Sequence, residues 1–272
     1  MTNKIGAVAA LFAAGVMAAV ISLSAWPGEG QSRPKLDCQK MAFDYARALE
    51  NVDYRTIVRL RGQPYSKEEE AEAKKQFNNP EVKEMLASII GMIRLFPKIG
   101  DIPDWVTEVD AEYQYIQGDD LIEMHGEFVF RDDNWVIDDV EPRGGETLTE
   151  ETKAQYAGEI SPAPPEGQKT IDAGFNELIA KLIAAVQQKS SKGLEEIGLH
   201  PDDCGLGSSD PPEERERFLQ LLSQFPSIGP IPAPAKTFCL ALKGVLDGKE
   251  TGIEIGFRWP NNNLKFFFVR CQ

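Results

Sequence analysis

The chain has 272 residues, of which 42% are hydrophobic and 26% charged, and its formal net charge is -14. This composition excludes wholesale disorder and a polytopic membrane protein, and the length suits roughly two domains of ordinary size. The acidity argues against a nucleic-acid partner, because binding phosphates requires a basic face. The charge is uneven, since residues 101–160 carry 18 acidic and only 3 basic side chains.

An uncharged run from Ile5 to Ala25 opens the chain. As a helix it would cross about 30 Å of hydrocarbon. Lys4 precedes the run and Glu29 is the first charge after it, which predicts a body exported to the periplasm or the outside of the cell. Because the run exceeds a usual signal-peptide core, a retained membrane anchor is favoured over cleavage near Ala25. We therefore predict a transmembrane anchor or signal peptide at 1–26 and a Pro- and Gly-rich stalk at 27–36.

Cysteines of exported proteins usually form disulfides, and this chain has four of them. Their spacing does not match a paired zinc-ligand pattern, so the sequence predicts no metal site, and it carries no cofactor motif. Three connectivities stay open, although a bond between the last two cysteines is disfavoured because they are expected at opposite ends of a sheet. The disulfide candidates are Cys38, Cys204, Cys239 and Cys271.

An internal repeat divides the chain into two halves. Residues 96–103 read FPKIGDIP and recur 129 residues later as FPSIGPIP. An amphipathic helix precedes each copy, and three strand-like runs follow it, at 105–117, 121–131 and 134–141 and again at 236–246, 251–259 and 263–271. Each half is thus predicted to contain helices followed by a three-stranded antiparallel meander. The predicted boundaries are 37–141 for domain 1, 142–169 for a linker and 170–272 for domain 2.

Two segments of the first half resemble the NTF2-like domains of bacterial exported proteins. Residues 48–54 (ALENVDY) are similar to the point where the first helix of those domains ends and the second begins, and residues 134–139 (NWVIDD) to their final hairpin and strand. The second half shares the layout without these motifs, so its membership rests on the duplication. The resemblance implies two tandem NTF2-like (cystatin-like α+β cone) domains behind the hydrophobic helix, in a family that includes isomerases, cyclases and noncatalytic modules.

Strand alternation assigns the side chains of the first meander to two faces. The predicted inner face packs on the helices and carries Trp105, Val109, Tyr113, Met124, Phe128, Phe130, Trp135 and Ile137. The predicted outer face carries an acidic set, Glu108, Asp110, Glu112, Glu123, His125 and Glu127. This set is either a solvated surface or a docking surface for a basic partner. Cation binding is a third reading, although no EF-hand-like spacing accompanies it.

No nucleophile, phosphate-binding or zinc-protease motif occurs in the sequence. The candidates for acid–base chemistry of the isomerase kind are the inner-facing Tyr113, Tyr115 and Asp139. Tyrosines at the mouth of a core are more often structural, and His125 on the acidic face is expected to be solvated or ion-paired. We therefore predict that the protein is not an enzyme.

The last strand is apolar on both faces, and only one of them can cover the helices of its own half. The other must be buried against the companion domain or a partner chain. The contact candidates are Phe266, Phe267 and Phe268. If the contact is intermolecular, Phe267→Asp, or Phe266→Asp with reversed strand parity, is expected to weaken assembly.

Together these patterns predict a membrane-anchored, extracytoplasmic, noncatalytic binding or assembly module. Its partners are expected to be the membrane, through the N-terminal helix, and a protein or a second copy of the chain. One alternative is an accessory subunit of a larger membrane protein complex. Others are a small isomerase- or cyclase-like enzyme and a soluble ligand-binding protein.

Overall fold

The protein is an α+β structure built on a six-stranded antiparallel sheet. The computed structural model describes residues 33–117, 120–150, 170–171, 174–200, 212–229, 231–232, 235–258 and 264–271. Within these residues no helix is long and apolar enough to span a membrane. The predicted anchor at 1–26 lies outside them.

Four helices open the first half: α1 (Cys38–Glu50), α2 (Tyr54–Leu60), α3 (Lys67–Phe77) and α4 (Pro80–Ile93). Each begins at a side chain that accepts a hydrogen bond from the first turn, and these caps are Asp37, Asp53, Ser66 and Asn79. The sequence analysis did not predict α3, because its repeated glutamates and lysines give it no apolar face. Its cap and the Glu70–Lys74 ion pair (2.8 Å) stabilise it locally.

The strands β1 (Val106–Gln117), β2 (Asp120–Arg131) and β3 (Asn134–Thr147) follow α4. The second half contains β4 (Thr170–Ile171), α5 (Phe175–Gln187), α6 (Ser191–Glu196), α7 (Pro212–Ser223), β5 (Ile231–Pro232), β6 (Ala235–Leu246), β7 (Lys249–Arg258) and β8 (Lys265–Cys271). Both meanders are therefore confirmed as strands. The third strand is longer than predicted, because β3 pairs with β2 as far as Thr147, within the predicted linker.

The two meanders join edge to edge through their first strands, which gives the order β3-β2-β1-β6-β7-β8. In the β1–β6 ladder Ala111 pairs with Leu240, the residue 129 positions later, and the residues on either side pair crosswise. The spacing that separates the two FPxIGxIP copies thus also relates the two strands. The halves are arranged around this ladder as by a two-fold axis.

The two FPxIGxIP loops also contact each other. The Gly100 N–H donates to the Ser227 carbonyl at 2.7 Å, and the Gly229 N–H donates to the Lys98 carbonyl at 2.8 Å. The isoleucines between these residues form an isolated antiparallel bridge. Each loop therefore satisfies the backbone of the other.

A β-bulge occurs at the same place in both halves. Asp138 is the extra residue of β3, between the pairs Phe128–Ile137 and Glu127–Asp139. Phe267, 129 positions later, is the extra residue of β8. Beyond each bulge the side chains of the strand change faces, because alternation counts one residue more.

One contiguous cluster of buried side chains lies between the helices and the inner face of the sheet. Of the predicted inner set, Trp105, Val109, Tyr113, Met124, Phe128 and Ile137 are buried, as expected, whereas Phe130 and Trp135 are partly exposed. Phe96, beside α4, packs edge to face on Phe128 at 5.5 Å, and Phe175 of α5 packs on Phe257 at 4.8 Å. The helices of both halves therefore cover the same face.

The end of the predicted stalk is part of the body. The Arg33 guanidinium lies 3.8 Å from the centre of the Phe130 ring and 4.5 Å from that of Trp135. Trp135 Nε1 donates to the Pro34 carbonyl at 3.1 Å, and Leu36 is buried. Residues 33–36 are thus packed against the first half.

The joint between the halves leaves no room for a side chain at Gly244. A Cβ atom there would lie 1.9 Å from the Trp105 carbonyl oxygen, which accepts a hydrogen bond from Val245.

We expect Gly244→Ala to destabilise the protein by about 2–3 kcal/mol, because the backbone must move to admit the methyl group. Urea unfolding measures this. The control is Gly248→Asn, at a turn position with φ 76° and open space around it, which should change stability by less than about 1 kcal/mol. Equal effects of the two changes would contradict the steric account.

Candidate functional site

The outer face of the sheet brings most of the predicted surface residues together. Because paired residues of neighbouring strands lie on the same face, two rows of side chains cross the whole sheet. The first row contains Glu141, His125, Glu112, Cys239, Gly256 and Phe268. The second contains Asp139, Glu127, Asp110, Ala241, Glu254 and Arg270. The first half of this face is acidic, and the second is mostly small or apolar.

His125 is the centre of the acidic half. Its side chain is only 2% exposed, and its Nε2 lies 2.9 Å from Asp110 Oδ1 while Nδ1 lies 3.3 Å from Asp139 Oδ2. Burial disfavours the charged ring, but the hydrogen bonds to Asp110 and Asp139 outweigh it and raise the pKa of His125 to about 9. At neutral pH the ring is therefore a cation that donates to both aspartates. The expectation that His125 is ion-paired holds, whereas it is not solvated.

The carboxylates around His125 differ in how readily they ionise. Burial and the neighbouring Glu123 and Asp110 raise the pKa of Glu112. Burial together with nearby carboxylates also raises the pKa of Glu127 and of Glu141. These groups are held close together against their mutual repulsion.

Asp139 behaves in the opposite way. Burial opposes its ionisation, but hydrogen bonds from His125 and from Arg143, at 3.2 Å, outweigh that effect and lower its pKa. The acidic half thus contains one neutralised core, formed by His125 with its two aspartates and Arg143. Around this core lie Glu112, Glu127 and Glu141, none of which has an ion-pair partner within 4 Å in the part of the chain that the structure describes.

The surface of the second half of the outer face is flat beside Phe268, because Gly256 has no side chain. A Cβ atom on Gly256 would lie 2.6 Å from the Phe268 ring, so the ring rests on the glycine. Arg270 lies 4.6 Å from the centre of that ring and 3.7 Å from Glu254. The Cys239 thiol, in the same row as Gly256, is partly buried, and burial and the adjacent carboxylates raise its pKa to about 12.

The proposed acid–base set does not assemble. Tyr113 is buried on the inner face, where its hydroxyl donates to the Met92 carbonyl at 3.1 Å. The inner position predicted for Asp139 is wrong, because the bulge at Asp138 moves Asp139 to the outer face beside His125. The side chain of Tyr115 lies outside the described residues.

The three phenylalanines of the last strand have different surroundings. Phe266 is fully buried in the core, so the reversed parity is wrong and Phe266→Asp would test folding rather than assembly. Phe267, the bulged residue, is 54% exposed, and Phe268 is partly buried. The two meanders join edge to edge in one sheet, and neither is stacked on the other. In the described part of the chain the first half therefore does not cover Phe267.

The structure pairs none of Cys38, Cys239 and Cys271 with one another in a disulfide, and Cys204 lies outside the described residues. Cys38 is buried at the start of α1, where burial and Asp37 raise its pKa. Cys239 and Cys271 are two strands apart, opposite Gly256 and Ile253 of β7, in line with the expectation that they do not pair.

A depression of about 710 Å³ lies between the stalk end, the loop before β1 and the turn after β6, with Arg33, Ile102, Trp105 and Leu246 among its lining residues. Arg33 Nε and Nη2 and Trp105 Nε1 are buried there without a hydrogen-bond acceptor. Because these atoms are sealed from solvent, they are out of reach of a ligand in this arrangement.

No cluster of His, Cys, Asp or Glu with metal-binding geometry occurs among the described residues. A comparison of the chain with protein-family models, with curated protein sequences and with solved structures finds no significant match.

The sequence analysis missed three members of the acidic half: Asp139, Glu141 and Arg143. Alternation alone assigns all three to the inner face, since they share the parity of Ile137. Only the bulge at Asp138 brings them beside His125. A run of charged residues where an apolar inner face should continue, DDVEPR after Ile137, was the available signal.

The pKa of His125 makes stability depend on pH. Its folded pKa of about 9 lies above the ordinary value of 6.5, so its contribution is complete below pH 6.5 and is lost as pH rises through 9. We expect wild-type protein to lose about 2–3 kcal/mol of unfolding free energy across this range and His125→Gln to lose much less. Urea unfolding from pH 6 to pH 9.5 tests this. His200→Gln, at the exposed second histidine, should retain the wild-type slope. Parallel profiles for wild type and His125→Gln would refute the assignment.

Proposed function

We propose that the protein is a noncatalytic binding or assembly module that holds a protein partner on the outer face of its sheet. In this proposal two NTF2-like halves form the body, which the N-terminal helix anchors outside the cytoplasm. The common 129-residue spacing of the loops, the β1–β6 ladder and the two bulges supports descent of both halves from one duplicated unit. The helix–strand layout and the ALENVDY and NWVIDD segments support the NTF2-like assignment.

The observation that carries the proposal is a contrast between the two faces at corresponding positions. On the inner face, residues 129 positions apart are apolar in both halves, as in the pairs Val109 with Phe238 and Phe128 with Phe257, all of which are fully buried. The fold requires this, since both halves pack on helices. On the outer face the corresponding residues differ in chemistry. The residues 129 positions after Asp110, Glu127 and Asp139 are Cys239, Gly256 and Phe268. Folding does not account for the carboxylates, because the second half forms the same sheet without them.

Three glutamates of the acidic half are held close to other carboxylates, which supports a role beyond solubility. Charged groups that only keep a protein soluble are well solvated and spread apart. Here Glu112, Glu127 and Glu141 ionise with difficulty, because they are partly buried among other carboxylates. A partner that supplies positive charge would relieve this repulsion.

The noncatalytic part of the proposal rests on the separation of the acid–base candidates. Tyr113 and Asp139 lie on opposite faces of the sheet, and each is held by a hydrogen bond to another group. The accessory-subunit alternative gains support from the stalk. Arg33 and Leu36 fix the chain to the body at the end of the predicted stalk, which would keep the body close to the predicted anchor at 1–26.

The proposal is tested by neutralising the outer face without changing its shape. Native protein is extracted in mild detergent and crosslinked, and its N-terminal peptide and attached proteins are identified by mass spectrometry. We expect an intact N-terminus and a stoichiometric partner in wild type, and at least a tenfold loss of that partner from Glu112→Gln/Glu127→Gln.

The matched control is Glu84→Gln/Glu195→Gln, which removes the same charge from exposed helical positions. It should retain the partner. Because the outer-face glutamates repel one another, Glu112→Gln/Glu127→Gln should also unfold at an equal or higher urea concentration than wild type. A monomer without any partner, or a partner retained equally by both double variants, would overturn the proposal.

A further inference from the structure

We propose that the occupant of the outer face is a cationic polypeptide segment with one apolar side, supplied by another protein. This inference rests on the proposed function and names the chemistry of the partner. Lysine or arginine side chains of the segment would lie on the acidic half, and its apolar side would lie on the half that contains Phe268.

The acidic half supplies the charge complementarity. Glu112 and Glu127 are partly exposed, with no ion-pair partner within 4 Å in the described part of the chain. The nearest cation, His125, is 2% exposed and already donates to Asp110 and Asp139. Cations on an incoming segment would therefore meet glutamates that the protein itself leaves uncompensated, and the raised pKa of each shows the cost of that arrangement.

The second half supplies an apolar strip at a matching distance. Gly256 and Phe268 continue the row that contains Glu112. In the row that contains Asp110, Ala241 is followed by Glu254 and Arg270, which pair with each other at 3.7 Å. The strands β1 and β7 are two spacings apart, about 10 Å. An α-helix with its side chains is about 10–12 Å wide, so one amphipathic helix would reach both halves of the face.

Charge excludes the other occupants. None of the segments of this chain outside the described residues has more basic than acidic side chains, so the chain does not supply the cations itself. A second copy that docked its acidic half on this acidic half would place carboxylates against carboxylates. Nucleic acid and anionic lipid carry the same sign as this surface and are repelled. A polyamine would neutralise the carboxylates, but it has no apolar side chain that could pack on the strip containing Phe268.

The test uses four probes with the full-length chain in mild detergent. They are a fluorescent 14-residue helical peptide with lysines on one side and leucines on the other, its glutamate-for-lysine counterpart, a lysine–serine peptide of equal charge, and spermidine as competitor. Fluorescence anisotropy gives each Kd, with detergent alone as the blank. We expect the lysine–leucine peptide to bind, the glutamate peptide not to bind, and affinity to fall with added salt.

Variants locate the binding. Glu112→Gln/Glu127→Gln should weaken the lysine–leucine peptide at least tenfold, whereas Glu84→Gln/Glu195→Gln should change its Kd less than twofold. Phe268→Ser should weaken this peptide about tenfold and leave the lysine–serine peptide unchanged. Ala241→Lys places a cation on the face without removing a packed ring, so it should weaken both peptides even if Phe268→Ser proves unstable.

Three results would overturn the inference: equal losses in both double-glutamine variants, equal binding of the glutamate peptide, or spermidine displacement with no effect of Phe268→Ser and Ala241→Lys. The first indicates general attraction to an acidic protein, and the last indicates a small-cation site. If no cationic peptide binds but the crosslinked partner is still lost from Glu112→Gln/Glu127→Gln, the proposed function stands and only the partner chemistry fails.

Discussion

The pairing of β1 with β6 is the interaction on which the rest of the structure depends. It uses the first strand of each meander, so both half-sheets lose one edge and become a single sheet. The reciprocal hydrogen bonds between Gly100 and Ser227 and between Gly229 and Lys98 fix the same joint from the loop side. Close packing is required there, since Gly244 has the Trp105 carbonyl against it. Neither half could shift along the other without breaking both sets of contacts.

Joining by edges rather than by faces determines what each face of the sheet can do. In the described part of the chain the helices of both halves pack on the inner face, where Phe96 contacts Phe128 and Phe175 contacts Phe257. The outer face does not pack on the helices, and the side chains of the two halves differ there. One half has gathered carboxylates around His125, and the other has Cys239, Gly256 and Phe268. A single continuous surface with two chemistries results from two similar units.

The sequence was sufficient for those features that local patterns determine. Alternation and turn residues predicted all six long strands, and the Asp132–Asp133 turn takes the positive φ angles expected of a tight hairpin. The FPxIGxIP repeat revealed the correspondence of the halves. It did not reveal that β1 and β6 pair, because that contact joins residues more than a hundred positions apart.

The candidate site was predicted only in part for a related reason. The acidic set that precedes the bulge lies on the outer face, as strand alternation predicts. Its members are Glu108, Asp110, Glu112, Glu123, His125 and Glu127. Asp139 follows the bulge, and no local pattern indicated that Asp138 would be the extra residue. The burial of His125 was equally hidden, because it depends on Asp110 and Asp139 approaching from two different strands.

The matching bulges have one further consequence, which concerns the rims of the sheet. Asp138 and Phe267 interrupt β3 and β8, the outermost strands, and residues that directly follow two helices also contact both rims. The Arg61 guanidinium, after α2, donates to the Asp138 carbonyl, and the Phe266 N–H donates to the carbonyl of Ile197, after α6. A straight, unoccupied rim would let copies of the chain add strand to strand into fibres. An irregular and partly occupied rim prevents such polymerisation, so a sheet of six long strands can remain exposed on one side without becoming a template for its own aggregation.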